Sequence, residues 1–209
     1  MILLNKENVI TMTSKERVEG LHQALKDVHL NSIEGDFVEC GIYMGGNIII
    51  AKKFFDSVND LRNFYCYDTF KGMTEPGEFD GSKAHKIWQT DAKCEASLDK
   101  VIEQFYFHKI FDNRIKIVEG DVRKTLKKEI DLPKKISILR LDTDFYDSTL
   151  IELQSLYHRI VLGGYLIIDD YGHWSGCKKA TNEFFGEEFV LNNFKKLDYT
   201  GIMLKKICY

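Results

Sequence analysis

Five times along the chain a short apolar run of strand length stops at or beside an acidic residue, and segments of helical spacing separate these runs. The acids are Glu39, Asp68, Asp121, Asp142 and Asp169. Strands that alternate with helices need crossover connections and pair in parallel. The pattern therefore predicts an α/β fold, a doubly wound, mostly parallel, Rossmann-like sheet. In such a sheet neighbouring strands end on one edge, so the five acids are predicted to line a single crevice. Any one of them has an ordinary role as a turn residue. Five on one edge pose an electrostatic problem that turn chemistry does not explain.

The intervening segments support this architecture. Thr13-Ser14-Lys15-Glu16 reads as a capping box with Thr13 as the cap, and Val18, Leu21, Leu25 and Val28 form one face of the helix it opens. This predicts a helical N-terminal segment at about residues 13–30. Residues 48–55 suit a buried helix, residues 71–93 a long polar loop, and Leu98, Val101, Ile102 and Phe105 another amphipathic helix. Residues 148–161 are helical in spacing, with Gly163-Gly164 closing that helix as a C-cap would. A further helix is expected at 177–185. Residues 194–199 and 202–207 flank Thr200-Gly201 and predict a C-terminal antiparallel hairpin.

A length of 209 residues and the absence of a Ser/Gly-rich tract suit one domain over residues 1–209. With 29 basic and 32 acidic residues, nothing calls for a nucleic-acid or anionic-membrane partner. The cysteines at 40, 66, 94, 177 and 208 are odd in number and contain no C-x-x-C, which argues against a disulfide framework or a zinc site. No run approaches the roughly 18 apolar residues of a membrane span. The first six residues are too short an apolar run for a signal peptide, so cytoplasmic residence is the expectation.

The last two acid-tipped runs carry the chemistry. One continues through Asp142-Thr143-Asp144 and the other through Asp169-Asp170-Tyr171. Aspartates brought together at one strand edge repel each other, and burial penalises their charged forms further. A hard divalent cation with oxygen ligands resolves that conflict. The first crevice candidate is Glu39-Cys40-Gly41-Ile42-Tyr43-Met44-Gly45-Gly46-Asn47, a strand turning through glycines into a helix. Such a turn presents backbone N–H groups to a ligand. It is not G-x-G-x-x-G, and glycines also serve tight turns for backbone reasons alone. With Asp68 placed to accept hydrogen bonds from ribose hydroxyls, the pair indicates an adenosine-type ligand.

These residues, together with Asp68-Thr69-Phe70-Lys71-Gly72-Met73, the block from Leu141 to Thr149, and Gly163 to Gly172, resemble the macrocin (TylF-like) O-methyltransferase family. That resemblance implies a class I methyltransferase fold and Mg²⁺-dependent methylation of a sugar hydroxyl by S-adenosylmethionine. It implies that Glu39, Gly41, Tyr43, Gly45 and Asn47 surround the methionine part of the donor. Asp68 would hold the ribose and Asp121 would lie near the adenine. Asp142, Asp169 and Asp170 would bind Mg²⁺. The resemblance points to His85 as the base; Asp144, two residues past Asp142, is left between base, alternative ligand and loop residue, with His173 and Trp174 near the same crevice. A small-molecule or glycan acceptor and a homo-oligomer, dimeric or higher, are implied as well. A catechol-type enzyme acting on phenols, an NAD-dependent oxidoreductase and a non-catalytic nucleotide-binding module are the alternatives.

Overall fold

The computed structural model describes residues 9–90 and 94–207. Helix α1 (Lys15–Leu30) buries Val18, Leu21, Leu25 and Val28 on one face, as their spacing predicts. Its cap is Ser14, whose hydroxyl accepts from the Arg17 N–H, and not Thr13. Thr13 is turned inward and buried, because its hydroxyl serves an interior polar cluster described below.

Strand β1 (Asp36–Cys40) runs into α2 (Gly46–Ser57), and β2 (Phe64–Asp68) is followed by α3 (Gly81–Trp88) and α4 (Leu98–Phe107). Then come β3 (Ile115–Glu119), the single turn α5 (Val122–Thr125), β4 (Ile136–Leu141), α6 (Tyr146–Leu156) and β5 (Ile160–Ile168). Helices α7 (Ser175–Phe185) and α8 (Glu187–Asn193) precede β6 (Lys195–Lys196) and β7 (Ile202–Lys205). Among the described residues the sheet has seven strands in the order β3-β2-β1-β4-β5-β7-β6. The first five are mutually parallel, whereas β7 runs antiparallel to both β5 and β6. The chain thus winds outward from β1 in one direction and resumes on its other side at β4. The junction of β1 and β4 is the switch point where open α/β sheets bind ligands.

Alternate residues of each strand feed two apolar layers, as the strand period of two requires. Phe37, Ile138 and Ile167 pack with α1, α2 and α4, while Val38, Leu139, Leu166 and Ile168 pack with α6 and α7. Cys40, Cys66 and Cys177 are buried and unpaired. No helix among the described residues is long and apolar enough to cross a membrane.

Three local expectations need correction. The polar stretch predicted as a loop contains α3 and a 3-10 turn at Glu78–Asp80. Only Ala84 of α3 is fully buried, and the apolar spacing it makes with Ile87 and Trp88 covers a single turn inside a polar stretch. It is anchored by buried Asp80, which accepts from the Gly77 N–H and from the Tyr146 N–H at the start of α6, both at 2.7 Å. Second, Gly163-Gly164 do not cap a helix. That helix ends at Leu156, and both glycines lie inside β5. Gly163 takes φ +83° there and donates its N–H to the Lys206 carbonyl, while the β4–β5 register shifts close by. Third, the terminal antiparallel pairing is shorter than predicted, reduced to Lys195–Lys196 against Ile202–Met203.

Candidate active site

A cavity of about 370 Å³ opens at the carboxyl edge of the parallel strands. The β1–α2 turn forms one wall. Gly41 is forced by close approach: it has φ +80°, and a Cβ there would stand 1.9 Å from the Asp142 carbonyl oxygen. Gly45 caps α2 at φ +74° with the Phe105 ring 2.4 Å from the Cβ position. Between them Tyr43 takes φ +50°, held by its N–H donating to Asp68 Oδ2 at 3.0 Å. Asp68 Oδ1 accepts from the Phe70 N–H at 2.8 Å, and Phe70 is itself at φ +55°. Burial pushes the Asp68 carboxyl up, against the pull of these backbone donors. Left-handed backbone in a non-glycine residue is uncommon and collects at functional sites. Among the described residues seven non-glycines adopt it, and three of them, Tyr43, Cys94 and Asp144, line the cavity.

The opposite wall is acidic. Asp142 follows β4, and Asp169 and Asp170 follow β5. One carboxylate oxygen from each lies within 4.8 Å of the others. Burial drives the Asp170 carboxyl far above the ordinary range, reinforced by Asp144 and Asp142, and its Oδ2 is buried without a hydrogen-bond partner. Asp144, at φ +69°, accepts the Trp174 indole N–H on Oδ1 at 2.7 Å. Burial first, and the Asp142 charge second, raise it to about 7.

Between the two walls lies a residue whose role the sequence did not disclose. Arg140 is 1% exposed and stands beside Glu39 in the β1–β4 register. Its Nη1 donates to Glu39 Oε1 at 2.6 Å and to Asp142 Oδ2 at 2.7 Å, and its Nη2 to Thr13 Oγ1 at 3.1 Å and to Asp169 Oδ1. A second guanidinium, that of Arg17, reaches Asp169 Oδ2 and Asp198 Oδ2. Asn47 is buried and donates to Thr13 Oγ1 and Glu39 Oε1. Burial lifts the Glu39 carboxyl to about 7 despite the Arg140 charge. Arg140 did leave one signal: a charge inside a six-residue buried strand must be paired. Its position two residues before Asp142 places both on the same strand face.

The remaining predicted residues divide. Gly41, Tyr43, Asn47, Asp68, Asp142, Asp144, Asp169, Asp170, His173 and Trp174 line the cavity. Glu39 lies buried behind them, and Gly45 supports the turn against Phe105. Asp121 caps α5 and is bound by the Arg123 side chain at 2.7–3.0 Å; its neighbours Gly120 and Val122 reach the cavity. His85 lies on α3, half-buried, with Nε2 3.2 Å from the Gly77 carbonyl oxygen, and it is not part of the lining.

The donor chemistry suits two guests. Glu39 Oε2 and Asn47 Oδ1 are buried acceptors lacking donors, as a ligand carrying an ammonium group would require. The all-oxygen aspartate set with the orphaned Asp170 Oδ2 suits a hard divalent cation.

Comparison with known proteins agrees with this geometry. The chain is 29% identical over 200 residues to demethyldecarbamoylnovobiocin O-methyltransferase of Streptomyces niveus, covering 93% of this chain and 75% of the relative. It is 26% identical over 196 residues to the 8-demethyl-8-(2,3-dimethoxy-α-L-rhamnosyl)-tetracenomycin-C 4'-O-methyltransferase of Streptomyces olivaceus, covering 92% and 74%. The solved structure of the O-methyltransferase NovP superposes with a TM-score of 0.86 at 26% identity, over 95% of this chain and 82% of that one. A family model described as macrocin-O-methyltransferase (TylF) matches residues 6–206. The chain therefore belongs to the macrocin O-methyltransferase family and is an O-methyltransferase whose membership supports S-adenosylmethionine as methyl donor.

Proposed function

We propose that the protein transfers a methyl group from S-adenosylmethionine to a hydroxyl of a sugar or sugar-bearing small molecule, with Mg²⁺ at Asp142, Asp169 and Asp170. The observation that carries this reading is the convergence of those three carboxylates, one with an orphaned oxygen, in the same cavity as Asp68 and the Gly41–Gly45 turn. The relative that methylates a rhamnosyl group favours a sugar acceptor.

When bound, S-adenosylmethionine supplies an electrophilic methyl group and Mg²⁺ supplies positive charge that favours loss of the acceptor proton. The chain's own residues do the rest. Asp68 would accept from the ribose hydroxyls, its backbone hydrogen bonds holding the carboxylate in place. Gly41, Tyr43, Gly45 and Asn47 would shape the end of the site that takes the methionine part of the donor, where the N-terminus of α2 favours a carboxylate. Glu39 and Asn47 offer acceptors to its ammonium. Asp144 takes the acceptor proton: it lines the cavity two residues from Asp142, and Trp174 fixes one of its oxygens. His85 faces Gly77 instead. A positioned base contributes about 10²–10⁴-fold.

The test is S-adenosylhomocysteine release with glycosides, nucleotide sugars and simple catechols as acceptors, each with EDTA and after Mg²⁺ is restored. Sugar turnover that EDTA abolishes and Mg²⁺ recovers is the expected result. Activity indifferent to EDTA removes the metal from the reading, and turnover of catechols alone removes the sugar.

A further inference from the structure

We infer that Arg140 is the positioning residue that links the metal side of the site to the donor side, so that cation and donor bind cooperatively through one guanidinium. This rests on the metal-dependent reading above. Four acceptors from four segments meet on Arg140: Thr13 ahead of α1, Glu39 of β1, Asp142 after β4 and Asp169 after β5. A guanidinium is rigid, planar and permanently charged, so its hydrogen bonds are shared out among partners and not adjusted independently. Burial sharpens the competition by removing water as an alternative partner.

One nitrogen carries the argument. Nη1 is shared between Glu39 Oε1 and Asp142 Oδ2, at 2.6 and 2.7 Å. When Asp142 and Asp169 turn their charge toward a cation, Nη1 and Nη2 lose attraction on that side and Glu39 keeps more of the guanidinium. Glu39 is then favoured as the carboxylate, with Oε2 directed to no protein donor. That is the form able to accept from an ammonium. Direct repulsion between a bound cation and the ammonium of the ligand acts in the opposite direction. The sign of the coupling therefore distinguishes relay through Arg140 from simple electrostatics across the cavity.

The experiment is calorimetric titration of S-adenosylhomocysteine into the full chain with EDTA and with saturating Mg²⁺, and of Mg²⁺ with and without S-adenosylhomocysteine. In the wild type Mg²⁺ should tighten S-adenosylhomocysteine by roughly fivefold or more, and the reverse titration should give the same factor, since linkage is reciprocal. Arg140→Lys retains the charge but cannot span four acceptors, and should reduce that factor to within about twofold of unity. Glu39→Gln removes none of the three aspartates and should erase the coupling while Mg²⁺ still binds, which keeps the test informative if the Arg140 variant does not fold. Both ligands binding independently or antagonistically in the wild type, or coupling that survives Glu39→Gln, overturns the inference. Failure of the wild type to bind either ligand overturns the functional reading and the inference with it.

Discussion

Asp170→Asn should stabilise the metal-free protein while destroying its response to Mg²⁺. Asp170 is 9% exposed, shares a 4.8 Å cluster with Asp142 and Asp169, and has a buried Oδ2 with no donor. Two like charges at that separation repel by about 3.5 kcal/mol at an effective dielectric of ~20. If Arg140 offsets about half of this, roughly 1–2 kcal/mol stands against a charged Asp170 in the folded state, and burial pushes its carboxyl up in the same sense. An asparagine of the same shape removes the charge and adds an N–H beside two carboxylates. For a chain of this size the gain amounts to about 3–6 °C in Tm. The assay is thermal unfolding at pH 7.5, in EDTA and then in Mg²⁺. The variant should melt above the wild type in EDTA. The order should reverse in Mg²⁺, because only the wild type gains from a ligand that binds the folded state. A variant that melts below the wild type in EDTA would refute the view that this cluster is frustrated without a cation.

Three further outcomes follow from other contacts. Asp68→Ala removes the acceptor proposed for the ribose hydroxyls and should weaken S-adenosylhomocysteine by roughly tenfold by calorimetry, a loss of one charge-assisted hydrogen bond, with Mg²⁺ affinity little changed. Trp174→Phe keeps the ring packing on Phe145 but deletes the indole N–H on Asp144; steady-state kinetics should show kcat falling about tenfold or more, with donor KM within about twofold. Burial opposes the Asp112 charge, yet hydrogen bonds from Arg114 and Lys52 outweigh it and hold that carboxyl down to about 2. A lowered folded-state value means this stabilisation is complete above the ordinary carboxylate range and is lost as pH falls from about 4 toward 2. Urea midpoints should therefore drop more between pH 5 and pH 3 in the wild type than in Asp112→Asn, and equal drops would contradict the assignment.

The sequence by itself determined the winding of the sheet and the address of the site. Apolar runs of strand length alternating with helical faces admit few topologies, and parallel strands deliver their carboxyl ends to one edge. That is why Asp68, Asp142, Asp169 and Asp170 could be placed in one cavity from position alone. Helix α3 was hard to read because its apolar spacing, Ala84-Ile87-Trp88, spans a single turn inside a polar stretch. The Gly163-Gly164 pair misled because glycine serves a helix end and a strand irregularity equally well, and the β4–β5 pairing decides between them. Only the tertiary structure revealed which side chains share a proton or a charge. Arg140 and Glu39 are 101 residues apart and meet through strand register, while Arg17 reaches Asp169 across 152 residues. It also separated Asp144, held in the cavity by Trp174, from His85, turned toward Gly77, and Asp121, bound by Arg123. Residue type and spacing announce where charge collects, but distance and burial set how that charge is distributed. Those quantities exist only once the chain has closed on itself.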